Sequence, residues 1–350
     1  MRSPAVAIAA LLVLTGALAG CVADSSWALS ITGIQALQDR GLTGKGIKVA
    51  IIDTGIDPSH PEFKGLRAVW HDFVRGQSQP YDDSEVGHGT HVAGIIVAQG
   101  DLLQDALNGV RLKGAAPGVS LIIAKAVGGD GEGKDEDVAD AVDFAVAQGA
   151  HVIVMSLGGK AGGLLLGTDT ESSVKNAINR GIVVVAAAGN KLNANESQDD
   201  VASPASVEGV IAVGAVDKDK RIASFSYKGD DGCALPPSQL GCRTDPDKKP
   251  ELVAPGVQIL STARDQKYAI ADGTSQAAPF VGAAVALMLE AKPDYRAGGS
   301  RSGAAGVEAI KNALARGAEK VGPLAGQGGM SHDDLYGYGL LRADRALERL

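Results

Sequence analysis

Apolar residues in this chain fall into short unbroken runs separated by stretches of helical spacing. Residues 47–53 (IKVAIID), 121–127 (LIIAKAV), 151–157 (HVIVMSL), 182–188 (IVVVAAA) and 210–216 (VIAVGAV) are such runs, rich in β-branched side chains. Near-continuous hydrophobicity over five to seven residues is expected of strands buried on both faces of a parallel sheet. Between and around them, helical spacing covers residues 29–39, 88–98, 136–148, 172–179, 306–316 and 341–350. Residues 274–291 are apolar around the whole helical circumference, which predicts a buried helix. Strands alternating with helices imply an α/β fold of three layers, a central mostly parallel sheet with helices on both faces. No internal repeat is visible, and residues 228–250 and 296–305 have the Gly, Pro and charge content of surface loops.

The first residues stand outside this pattern. Met1-Arg2 gives a positive start, residues 5–18 form an apolar run, and Leu18-Ala19-Gly20-Cys21 follows. Small residues before a cysteine at the end of such a run resemble the bacterial lipobox, whose cysteine is acylated after cleavage. Residues 1–20 are therefore expected to be a signal peptide, 21–26 a lipidated tether on Cys21, and 27–350 one folded domain. The run is short for a membrane-spanning helix, and no later segment is long and apolar enough to span. The implied location is outside the cytoplasm, anchored to a membrane through the N-terminal lipid. Two cysteines remain, Cys233 and Cys242, and in an exported protein they are expected to form a disulfide, two free surface thiols being the alternative.

Composition narrows the function less than the pattern does. Of 350 residues, 47 are glycine and only 4% are aromatic, which suits tight strand–helix turns. The formal charge is −8, and removal of Arg2 with the leader makes it 32 − 41 = −9. With no cluster of Lys and Arg, a nucleic-acid partner is not expected.

Three segments carry candidate chemistry. Asp53 ends a predicted strand before Thr54-Gly55, at the strand edge where open parallel sheets bind ligands. Taken alone, it is as well explained as a turn former. GHGTHVAG, residues 87–94, opens a predicted helix with His88 between two glycines that permit close backbone approach. His91 follows three residues later without an intervening carboxylate, so it reads as a packed core histidine rather than half of a zinc pair. GTSQAAP, residues 273–279, puts Ser275 at the start of the apolar helix, where free N–H groups can stabilise an oxyanion or the hydroxyl can simply cap.

Together, VAIIDTGID, GHGTHVAG and GTSQAAP, in the order Asp, His, Ser, resemble the signature blocks of the subtilisin-like serine proteases, the subtilases. Further blocks extend the resemblance over residues 27–348: SLGG (156–159), AAAGN (186–190), PELVAPG (250–256) and YGYGLLRADRAL (336–347). The resemblance implies a three-layer subtilisin-like fold and a serine-type endopeptidase acting through an acyl-enzyme on Ser275. It assigns Asp53, His88 and Ser275 as the triad and Asn190 as the side-chain oxyanion donor. It implies that Ser156, Leu157, Gly158 and Gly159 pair with substrate backbone, that the substrate is a protein or peptide, and that the chemistry needs no cofactor. Structural calcium is common in the family, and Glu62 in HPEF matches a position where an acidic ligand sits. Two departures stand out. Gln276 follows the serine where the family usually has Met, and little chain separates Cys21 from the catalytic blocks, so no long pro-domain is expected there. The competing functions are a catalytically quiet subtilase-fold binding module and a processing protease narrow for one partner.

Overall fold

The computed structural model describes residues 11–13, 24–66, 68–100, 112–158, 168–191, 200–230 and 242–350. Seven strands form one parallel sheet: β1 Lys48–Asp53, β2 Ala68–Asp72, β3 Ser120–Lys125, β4 Val152–Met155, β5 Val183–Ala187, β6 Ile211–Val216 and β7 Leu252–Pro255. Their spatial order is β2-β3-β1-β4-β5-β6-β7. From β1 the chain first builds toward β3 and β2, then crosses back and builds through β4 to β7. That reversal puts the crevice at the carboxyl end of β1, where Asp53 lies opposite Lys125 and Ile52 lies opposite Met155. All five apolar runs are strands, trimmed by one or two residues at one or both ends, except that β3 begins one residue earlier than its run, and β1, β3, β4, β5 and β6 are buried almost throughout.

The helices are α1 Ser26–Ile31, α2 Ile34–Asp39, α3 His88–Val97, α4 Asp135–Ala147, α5 Thr168–Asn179, α6 Thr274–Ala291, α7 Ala304–Gly317 and α8 Ala343–Leu347. Helix α6 packs across β4 to β7 with α3 beside it, while α4 packs on β1 and β3 and α5 on β5, so the sheet is covered on both faces. Helix α6 is buried almost end to end, as its uniform hydrophobicity predicts. The single helix expected over residues 29–39 is instead two. Thr32 bonds back to the Ala28 carbonyl, and Gly33 takes a left-handed φ of 71°, which turns the chain.

A second, smaller sheet contains the hairpin β8 Ile259–Ala263 and β9 Lys267–Ala271, with Leu11–Val13 antiparallel along the far side of β9. This hairpin, β2 and β7 were not legible as apolar runs. The stretch 242–250 differs from a plain surface loop because Lys249 in it is fully buried. Lys249 and Lys311 both donate to Glu251 Oε1 at 2.8 Å, Lys311 also to Asp247, and Glu251 Oε2 accepts the Ala212 N–H at 2.7 Å. This charged cluster ties β6, β7 and α7 at the sheet end away from Asp53. No helix among the described residues is long and apolar enough to cross a membrane.

Candidate active site

Each residue expected at the site sits at the end of a strand or the start of a helix, where backbone direction aims it at the crevice. Asp53 is the last residue of β1 and His88 the first of α3; both are buried. Asp53 Oδ1 accepts from His88 Nδ1 at 2.7 Å and from the Thr54 N–H at 2.7 Å. Such a pairing fixes the neutral ring as the tautomer with its lone pair on Nε2. Burial works against a charged His88, but the negative charge and hydrogen bond of Asp53, with the charge of Asp82 added, outweigh it. The His88 pKa is raised above its ordinary 6.5. The glycines beside His88 matter for approach: a Cβ on Gly89 would strike the Gly55 carbonyl oxygen, so α3 could not come this close to the β1 turn.

Helix α6 packs along α3 and begins at Thr274, so Ser275 stands in its first turn, where backbone N–H groups lack helical partners. The Ser275 hydroxyl donates to the Ser156 carbonyl at 3.0 Å, and the Ser156 hydroxyl donates to the Ser275 carbonyl at 2.9 Å. This clasp joins the end of β4 to the start of α6. Asn190 lies just past β5, half-buried, and its Oδ1 accepts from the Thr274 N–H at 2.9 Å and hydroxyl at 3.1 Å. Its carbonyl is thereby fixed toward the helix, which leaves the Nδ2 amide as the face available to another acceptor. Leu157 is buried and Gly158 half-buried beyond β4.

The structure thus brings Asp53 to His88, Ser275 to Ser156, and Asn190 to the residue before Ser275. Gly159, Cys21 and Cys233 lie outside the described residues; Cys242 lies within them. Gln276 is buried, and its Oε1 has no protein partner among the described residues. His91 is fully buried with Nε2 against the Ala269 carbonyl at 3.2 Å, a core histidine as its sequence context suggests.

Glu62 is fully buried, but its oxygens accept from the Gly100 N–H at 2.8 Å and the Tyr268 hydroxyl at 3.3 Å. Among the described residues no three carboxylate, imidazole or thiol groups gather to hold a metal. The described residues around Glu62 thus supply two donors to its carboxylate and no second acidic ligand; residues 101–111 lie outside them.

Several residues of the site escaped the sequence reading. Thr54, Asp82, Ser84 and Thr90 form a hydrogen-bonded net behind Asp53 and His88. Lys125, fully buried at the end of β3, donates to the Thr54 carbonyl at 2.6 Å, the Asp83 carboxylate at 2.6 Å and the Val127 carbonyl at 2.9 Å. Thr54 and Thr90 lie inside the quoted motifs; only an acidic pair six and five residues before His88 could have signalled the rest.

The subtilase family model matches residues 44–339. The chain belongs to the subtilase family. It is 38% identical over 253 residues to the major intracellular serine protease of Bacillus subtilis strain 168, covering 71% of this chain and 70% of that protein. It is 39% identical over 261 residues to subtilisin DY of Bacillus licheniformis, covering 75% of this chain and 83% of that one. Subtilisin BL of Lederbergia lenta is 34% identical over 320 residues, 91% of this chain and 97% of its own. This subtilase is a serine-type endopeptidase, a hydrolase, on a subtilisin-like α/β fold.

Proposed function

We propose that this subtilase is an exported, lipid-anchored endopeptidase that hydrolyses protein or peptide substrates through an acyl-enzyme on Ser275. Ser275 attacks the scissile carbonyl after turning its hydroxyl from the Ser156 carbonyl toward His88. His88 takes the proton at Nε2 and delivers it to the leaving amine, while Asp53 orients the ring and stabilises its charged form. The Asn190 amide and the Ser275 N–H hold the tetrahedral oxyanion. An extended substrate pairs with residues 156–159 by strand addition. The observation that carries this reading is the buried 2.7 Å Asp53–His88 contact on α3, packed beside the helix whose first turn bears Ser275. Because His88 must be neutral to act as base and its pKa is raised, hydrolysis falls as pH drops through a value above 6.5.

Residues 1–20 are the cleaved signal, residues 21–26 tether the domain of residues 27–350, and Cys21 carries the lipid. A single acyl chain binds only marginally, so stable anchoring needs two or more. Cys233 and Cys242 pair in the oxidising space outside the cytoplasm.

The test uses the full chain in host membranes. Expected results are labelling by a serine-directed fluorophosphonate and peptide cleavage, both lost in Ser275→Ala, and release from membranes in Cys21→Ser. Undiminished cleavage by Ser275→Ala refutes the nucleophile. A wild-type protein in the soluble fraction without detergent refutes the anchor.

A further inference from the structure

Asp82 lies in the loop leading into α3, with only 7% of its surface exposed. It touches none of the atoms that react in the proposed chemistry, yet its carboxylate serves both halves of the Asp53–His88 pair. Oδ1 accepts from the Thr54 hydroxyl at 2.9 Å, the Ser84 N–H at 3.2 Å and the Ser84 hydroxyl at 2.8 Å. Oδ2 accepts from the Thr90 N–H at 2.9 Å and the Thr90 hydroxyl at 2.8 Å. An ionised carboxylate can only accept, and a hydroxyl has one proton to give. With the three hydroxyl protons drawn to Asp82, the oxygens of Thr54, Ser84 and Thr90 must present lone pairs elsewhere. They do so to backbone: Gly89 N–H donates to Thr54 at 2.9 Å, His88 N–H to Ser84 at 2.7 Å, and Asp57 N–H to Thr90 at 2.9 Å. Thr54 in turn is held by its own N–H to Asp53 Oδ1 and by Lys125 at its carbonyl. A single acceptor thus sets the polarity of three hydroxyls that fix the backbone on either side of the pair.

We propose that Asp82 is a positioning residue for hydrolysis, the hub that orients Thr54, Ser84 and Thr90 and so holds His88 at hydrogen-bonding distance from Asp53. Its role is indirect in geometry and direct in charge, because its carboxylate adds to Asp53 in favouring protonated His88. The other charged or titratable groups on the surrounding elements are Asp57 after β1, Asp83 and Glu85 in the same loop, His91 on α3, Lys125 at the end of β3, which pairs with Asp83 at 2.6 Å, and Arg264 at the β8–β9 turn, whose Nη1 donates to the Ser84 carbonyl at 3.2 Å. The first turn of α6 brings no charge. An amide in place of the carboxylate would aim an NH2 at groups that are already donors, which reverses at least one hydroxyl and removes the charge together.

The inference rests on His88 acting as the base of the proposed reaction, and Ser275→Ala tests that reading separately. The experiment is Asp82→Asn in the full chain, with kcat, KM, the pH profile of kcat/KM and thermal unfolding measured beside wild type. Expected is a kcat loss on the order of tenfold or more, the scale of one hydrogen bond to a charged group, with KM little changed. The acid limb moves to lower pH, because removing a negative charge lowers the His88 pKa. Wild-type kcat with an unmoved limb, in an enzyme that Ser275→Ala inactivates, overturns the inference and leaves the proposed reaction standing. A kcat loss that merely follows the folded fraction, with the limb unmoved, also overturns it, since a purely structural residue would behave so. If Asp82→Asn does not fold, Ser84→Ala removes the link to the His88 N–H and keeps the charge. That variant is expected to lose kcat with its acid limb in place, and full wild-type kcat in it overturns the inference.

Discussion

Acidification should unfold this protein through His91 in particular. The imidazole is fully buried between α3 and the β8–β9 hairpin, with Nε2 on the Ala269 carbonyl. Burial, reinforced by the neighbouring His88 when charged, pushes its pKa down to about 3 from the ordinary 6.5. Below 6.5 the unfolded chain therefore binds a proton that the native state refuses, so stability is fully present above pH 6.5 and is lost as pH falls toward 3. With those two values, linkage gives a loss of about 2 kcal/mol between pH 8 and pH 5, rising to about 3 kcal/mol at pH 4. His60, His151 and His332 are also lowered by burial and add in the same direction, whereas raised His88 opposes them. The clean measurement is a difference of differences. Urea unfolding at pH 8 and pH 5 is compared for Ser275→Ala, chosen to prevent self-digestion, and for the same protein carrying His91→Leu. The lost bond to Ala269 lowers the leucine variant equally at both pH values and cancels. The variant should lose about 2 kcal/mol less than its parent on acidification. Equal losses, within about 0.5 kcal/mol, would refute the assignment, that being the usual error in comparing independent sites.

Two further outcomes follow from the described contacts. Asn190→Ala is expected to lower kcat by about 10²–10³ while Thr274 and the fold persist, a magnitude established for subtilisin's own side-chain donor rather than worked out from this structure; steady-state peptide hydrolysis checks it. Glu251→Ala strands the buried Lys249 ammonium group and leaves Lys311 with Asp247 as its carboxylate, and thermal or urea unfolding should register a loss of about 3–5 kcal/mol, a near-zero change refuting the account of the cluster.

What the sequence determined by itself was the periodic part of the fold and the identity of the candidate reacting groups. Strands β1, β3, β4, β5 and β6 are buried on both faces, so their hydrophobicity is continuous and readable without partners. Helix α6 announces itself for the same reason, being apolar all round. Asp53, His88, Asn190 and Ser275 could be singled out as candidates because motif order survives in the linear chain. Only tertiary structure decided the rest. β2 lies at an edge and is largely exposed, so no apolar run marks it; the break at Gly33 depends on a left-handed turn that helical spacing does not reveal. Lys125, Lys249, Lys311 and Asp82 carry no mark of burial in sequence, because composition cannot tell a surface ammonium or carboxylate from one enclosed by partners 39 or 71 residues away. Burying such a group is tolerable only where donors and acceptors from several elements converge on it. That convergence is a property of three-dimensional packing, and it is what gathers a strand end and two helix starts into one candidate site.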